Sequence, residues 1–131
     1  MSKKKPAAKN WEERELKDWN VTTFHAYLME KHEERFGVPY FPFGTWMMEK
    51  KMLKTCIDKY GQEVVKKFID ECIRTYKPTP QYAGISFGFM FKYKNNVLQK
   101  QIAEARRAEE DAKRREAERE LWKDEEDLDW I

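Results

Sequence analysis

Residues 45–76 read TWMMEKKMLKTCIDKYGQEVVKKFIDECIRTY, and their periodicity decides the fold class. In the second half, Val64, Val65, Phe68, Ile69, Cys72, Ile73 and Tyr76 recur at three- and four-residue intervals. That spacing places them on one side of a 3.6-residue helix, predicted over residues 62–76. In the first half, Met48, Met52, Leu53, Cys56, Ile57 and Tyr60 do the same, with Thr45 as the cap. Gly61 separates the two, so the pair is expected to form a helical hairpin, antiparallel or steeply crossed.

Upstream, a helix is predicted over residues 22–35, with Phe24, Tyr27 and Leu28 as its apolar face, Thr22 as N-cap and Gly37 as its stop. Residues 38–44, VPYFPFG, hold two prolines and three aromatics. They predict an extended segment pinned to the core by Tyr40, Phe41 and Phe43. KPTPQYAG, residues 77–84, is a second rigid connector. A last helix starts near Ser86, with Phe87, Phe89, Met90, Tyr93, Val97 and Leu98 on its apolar side. Past Ile102 large apolar residues stop, and residues 103–120 are alanine and charge. Glu109–Lys113, Glu110–Arg114 and Asp111–Arg115 are spaced i,i+4, acid first, each pair contributing about 0.2–0.5 kcal/mol. The helix is therefore expected to continue as a solvated rod.

The resulting expectation is an all-α chain in four parts. Residues 1–20 are a basic flexible arm or short helix, anchored by Trp11 and Trp19. Residues 21–98 are the helical core, 99–123 the charged helix, and 124–131 an acidic-hydrophobic interaction peptide.

Charge is unevenly distributed. The net charge is +2, but residues 124–131, DEEDLDWI, hold five acids and no base, leaving about +7 on residues 1–123. A basic body with an acidic tail implies two partners of opposite character, or a tail that folds back on the body. No apolar run reaches the roughly 20 residues of a membrane span, and the basic start lacks the apolar stretch of a secretory signal. With two cysteines only, Cys56 and Cys72, both on apolar helix faces, a reduced cytoplasmic protein is expected.

Catalytic and cofactor signatures are missing. The chain has no Gly-rich phosphate loop. His25 and His32 lie seven apart, too far for the usual i,i+4 metal pair, and are expected to be structural or surface residues. Neither an enzyme nor a cofactor or metal is expected. Nucleic-acid contact is a stronger candidate: Lys50, Lys51, Lys54, Lys66 and Lys67 decorate the hairpin, and Lys92 and Lys94 extend the set. Such cations suit phosphate contacts, and Tyr40, Phe41, Tyr82 and Phe87 could stack on single-stranded bases. A solvated basic surface over an aromatic core is the competing explanation of the same residues.

The segment DLDWI carries the sharpest signal. It resembles the short peptide that bacterial and phage proteins insert into a pocket on the DNA sliding clamp. Leu128 takes the leucine position, Asp129 the short polar one, and Trp130 and Ile131 the paired hydrophobic positions; Asp127 stands where glutamine is usual. KDWNVTTFHAYLMEKHEERFGVPYFPF, FIDECIRTY and PTPQYAGISFGFMFKY, within residues 17–93, resemble small accessory proteins of phages that infect Firmicutes. The tail is also similar to that of the late-transcription co-activators of T-even-type phages, small helical proteins that bridge RNA polymerase to the clamp. These resemblances imply a non-enzymatic phage adaptor in the host cytoplasm. The sliding clamp would be its partner, with RNA polymerase or the replicative helicase as the other. A DNA-binding replication accessory of helicase-loader type, and an inhibitor of a host polymerase or replication protein, are the alternatives.

Overall fold

The computed structural model describes the backbone of residues 6–129 and the side chains of residues 6–123. Five α-helices are present among the described residues: α1 (Val21–Phe36), α2 (Trp46–Tyr60), α3 (Gln62–Thr75), α4 (Phe87–Tyr93) and α5 (Asn95–Asp129). No strand occurs among them, so the chain is all-α. It divides into two units, Met1–Gln101 and Ile102–Ile131.

In the first unit α3 is central and packs against α1, α2 and α4. Its stripe behaves as its spacing predicts: Val64, Val65, Phe68, Ile69, Cys72 and Ile73 are all buried. They meet Phe24 and Leu28 of α1, Leu53 and Cys56 of α2, and Phe87 and Met90 of α4 in one core. Each large side chain fully buried there contributes about 1.5–3 kcal/mol of transfer free energy. Gly61 (φ 87°) makes the turn between α2 and α3, a conformation that side chains with a Cβ rarely adopt. The cysteines are free and buried, and burial pushes the Cys56 thiol up to about 11 and Cys72 to about 12. Both stay protonated and inert at neutral pH.

Helix ends are closed by specific side chains. Asn20, and not Thr22, caps α1: its side chain accepts the Thr23 amide at 3.0 Å, and Thr23 Oγ1 accepts the Asn20 amide in return. The helix therefore begins at Val21, two residues earlier than a Thr22 cap implies. At the far end of α3, Arg35 donates Nε to Ile73 O (2.8 Å), and one terminal nitrogen lies 3.3 Å from Arg74 O and from Tyr76 O. It satisfies carbonyls that the end of α3 leaves without a helical partner.

Residues 11–20 form an ordered arm with one 3-10 turn at Leu16–Asp18. Trp19 is buried against Phe24 and Tyr27. Trp11 packs edge-on to Tyr27, and its indole N–H donates to Glu30.

Three expectations need correction. Met48 is exposed while Glu49 is wholly buried, because the inward face of α2 runs Glu49–Leu53–Cys56, at i, i+4 and i+7. Phe41 is 74 % exposed and does not peg its connector to the core. The helix from Ser86 is not continuous: it breaks at Lys94 (φ −116°, ψ 32°), whose carbonyl then accepts from Val97 and Leu98 to start α5. The two asparagines that follow Lys94 are weak helix formers, which lowers the cost of a break there.

The second unit is helical from Ile102 to Asp129, about 42 Å at 1.5 Å per residue. Every residue from Ala112 to Lys123 is exposed. An Arg114–Asp111 pair at 2.9 Å forms at i,i+3, in place of the i,i+4 pairs expected for both residues. No helix among the described residues is long and apolar enough to cross a membrane.

Candidate functional site

Two buried polar side chains organise one face of the first unit. The first is Glu49, presented inward by α2. Its Oε1 accepts the Tyr40 hydroxyl and lies 3.1 Å from His25 Nε2. Its Oε2 accepts the Phe43 amide at 2.7 Å and the Gly88 amide at 3.4 Å. Burial by itself would raise the Glu49 pKa, but the hydrogen bonds from His25, Tyr40 and Phe43 more than offset it, and the carboxyl lies below its ordinary value. Tyr40 is shifted up by its burial and by the adjacent carboxylate, so it remains a donor.

This cluster also closes the start of α4. The Phe87 amide donates to the Tyr40 hydroxyl (2.9 Å), the Gly88 amide to Glu49, and the Phe89 amide to Ser86 Oγ (3.2 Å). Three N–H groups with no helical partner are thereby satisfied, and a carboxylate at a helix N-terminus is favoured by the helix dipole.

The second buried polar residue is His32. Its Nδ1 lies 3.2 Å from Val38 O, and its Nε2 accepts the Ile85 amide at 3.2 Å. An acceptor nitrogen carries no proton, so this ring is the neutral tautomer protonated at Nδ1. Burial holds the pKa below 6.5, against a weaker opposite effect of the Val38 carbonyl. The sign follows directly. Below pH 6.5 the unfolded chain takes up a proton that the folded ring refuses, so this group removes stability as pH falls through that range. We expect the His32 Cε1–H resonance to keep its neutral-form shift below pH 6.5 in the folded protein; a midpoint at or above 6.5 would contradict the assigned hydrogen bonds.

Together His32 and Glu49 hold the two proline-rich connectors. His32 bridges Val38 to Ile85, and Glu49 bridges Phe43 to Gly88. Between them lies a groove of about 1030 Å³, lined by both connectors with Tyr76, Phe89 and Tyr93. Phe41, Tyr82 and Tyr93 are 74, 67 and 57 % exposed along it. The Tyr82 connector is rigid: Thr79 and Tyr82 exchange backbone hydrogen bonds (3.0 and 3.1 Å), and the Tyr76 hydroxyl donates to Tyr82 O at 2.9 Å. Among the described residues no carboxylate lines the groove. Lys77 belongs to its wall, and Lys92 Nζ lies 5.6 Å from the Phe43 ring and 5.5 Å from the Tyr93 ring.

The aromatics named as base-stacking candidates divide. Tyr40 and Phe87 are buried in the core and have no free face, whereas Phe41 and Tyr82 stand in the groove. The candidate lysines are dispersed. Lys50 and Lys51 are exposed on α2. Lys54 pairs with Asp58 (2.9 Å), Lys66 with Asp70 (2.9 Å) and Lys67 with Glu63 (3.3 Å). Lys66 also lies over the Tyr27 ring, on the α1–α3 side, and Lys94 is half-buried at the α4–α5 break. Of the seven, Lys92 is the one beside a groove ring. In the tail, Leu128 and Asp129 fall on the α5 backbone, with side chains outside the described residues; Trp130 and Ile131 lie outside them altogether.

A signal for the groove was present in the sequence. Residues 36–48 and 78–91 contain no Asp, Glu, Lys, Arg or His, in a chain that is 38% charged. Both runs supply its walls. Among the described residues no three His, Cys, Asp or Glu side chains gather to hold a metal ion. Comparison of the chain with protein-family models, with curated proteins and with solved structures finds no match in any of the three.

Proposed function

We propose that this chain is a non-enzymatic adaptor. Its tail, Leu128–Ile131, docks to the DNA sliding clamp, and its helical core engages the transcription or replication machinery, RNA polymerase or the replicative helicase. One observation supports the reading: the clamp-type peptide stands at the end of α5, which is exposed at every residue from Ala112 to Lys123. A helical stretch that buries nothing can serve as a spacer, and a spacer between two attachment points sets the effective concentration of the second contact. Leu128, Trp130 and Ile131 would supply the few apolar anchors that dominate a small interface. The five acids of residues 124–131 would speed encounter with a basic pocket rim.

Calorimetry tests this with the peptide Trp122–Ile131 and a purified clamp. Saturable binding in the micromolar range, about −8 kcal/mol, is expected. It should vanish in the Leu128→Ala, Trp130→Ala, Ile131→Ala variant. Absence of binding to clamps of both phage and host would discard the adaptor. A DNA-binding accessory of helicase-loader type would instead keep its DNA affinity, or bind more tightly, after deletion of residues 124–131.

A further inference from the structure

We propose that the groove between the two connectors of the first unit binds single-stranded nucleic acid, by stacking bases on Phe41, Tyr82 and Tyr93 and pairing phosphates with Lys77 and Lys92. This site stands on the core alone and does not depend on whether the tail binds a clamp.

Three properties select this occupant. First, the faces are available. Neither the Phe41 nor the Tyr82 ring packs against another aromatic ring among the described residues, and both are about two-thirds exposed or more; Tyr93 packs against Phe89 at 4.8 Å and is 57 % exposed. Exposed rings gathered along one groove, unlike singly scattered ones, mark an interaction site. Every base offers a flat face to such rings, and about one base per exposed ring is accommodated. Second, charge is complementary. The lining holds a lysine and no carboxylate, and a second lysine stands at the Tyr93 end. An anionic strand is attracted there and meets no carboxylate on the lining among the described residues, the Glu49 charge being buried behind Phe43 and bonded to four donors. An uncharged proline-rich peptide would fit the apolar walls but would leave those cations without a role.

Third, three of the hydroxyls along the groove already bond within the protein. Thr79 Oγ1 accepts the Tyr82 amide at 3.0 Å, Ser86 Oγ accepts the Phe89 amide, and the Tyr76 hydroxyl donates to Tyr82 O. Ring stacking and phosphate pairing do not read the 2′-hydroxyl, the group that separates RNA from DNA, so single strands of the two are expected to bind alike. Bases stacked inside a duplex do not offer their faces to the rings, so single strands are preferred.

The test is fluorescence anisotropy with the full chain and labelled oligothymidylate and oligouridylate of about ten nucleotides, beside a duplex of the same length. Wild type should bind the two single strands with affinities within about threefold and the duplex more weakly. The Phe41→Ala/Tyr82→Ala variant removes two exposed rings, so its melting curve should match wild type while single-strand affinity falls about a hundredfold, tenfold per ring. Lys77→Gln should weaken binding and flatten its salt dependence, whereas Lys50→Gln/Lys51→Gln, away from the groove, should do less. No single-strand binding by wild type overturns the proposal. So does unchanged affinity in the two-ring variant, which would move the contact to lysines elsewhere. Saturable binding of a proline-rich peptide at Phe41 and Tyr82 that the oligonucleotide fails to displace would assign the groove to a peptide.

Discussion

Glu49→Ala should cost about 4 kcal/mol of stability, taking most of the margin of a domain this size. The reason is the count of donors aimed at one carboxylate. His25, the Tyr40 hydroxyl and the amides of Phe43 and Gly88 all point to it, and it is wholly buried. Alanine removes every acceptor at once, and each donor left dry costs about 1–3 kcal/mol, less than additively. The isosteric Glu49→Gln is the sharper experiment. Its amide NH₂ has the same shape but donates, and it must face either the Tyr40 and His25 side or the Phe43 and Gly88 side. We expect a loss of about 2–3 kcal/mol in urea unfolding, with loss of near-ultraviolet dichroism at lower denaturant. A glutamine variant as stable as wild type would contradict four-donor coordination of a charged carboxylate.

Gly84→Ala should cost about 3 kcal/mol, although its backbone geometry tolerates a side chain. An added Cβ would sit 2.0 Å from His32 Nε2 and 2.4 Å from Cε1. His32 cannot retreat freely, being held from both ring nitrogens by Val38 and Ile85. Either the ring moves and the buried Ile85 amide loses its acceptor, or the connector shifts outward. Both outcomes damage the groove. Placing Gly84→Ala in a His32→Ala background tests the cause. With the imidazole gone, the added methyl should cost less than about 1 kcal/mol, a coupling characteristic of residues in contact. Equal costs in both backgrounds would rule out the clash as the mechanism.

The α3 stripe, the Gly61 turn and the Thr45 and Ser86 caps were legible in the sequence. Each is a local signal: a period, a residue tolerant of positive φ, a hydroxyl three residues before an amide. The α2 face was misread, because hydropathy assigns Met48 to the interior and Glu49 to solvent. Glu49 is buried only because donors from residues 25, 40, 43 and 88 converge on it, and no local pattern encodes that. Phe41 fails in the opposite sense: an aromatic between prolines looks like an anchor until the neighbouring Tyr40 takes the interior position. The α4–α5 break was hidden for a similar reason, since apolar spacing runs through it and only Asn95 and Asn96 mark it. For the site, the residue types on the exposed surface were visible, but their assembly was not. The walls of the groove are distant in sequence, and the two polar staples that align them are single residues.

That distance has a thermodynamic consequence. Ile85 is bound by a residue 53 positions away, and Phe87 by one 47 positions away. Local bonds order the turn at Tyr82, but the alignment of the two walls needs these distant partners, and a fragment ending between them lacks it. The groove exists only when the entire first unit is folded, so its ligand is in linkage with global unfolding and not with a loop. Whatever fills it at a hundred times its dissociation constant would add about 2.7 kcal/mol to the stability of the whole unit.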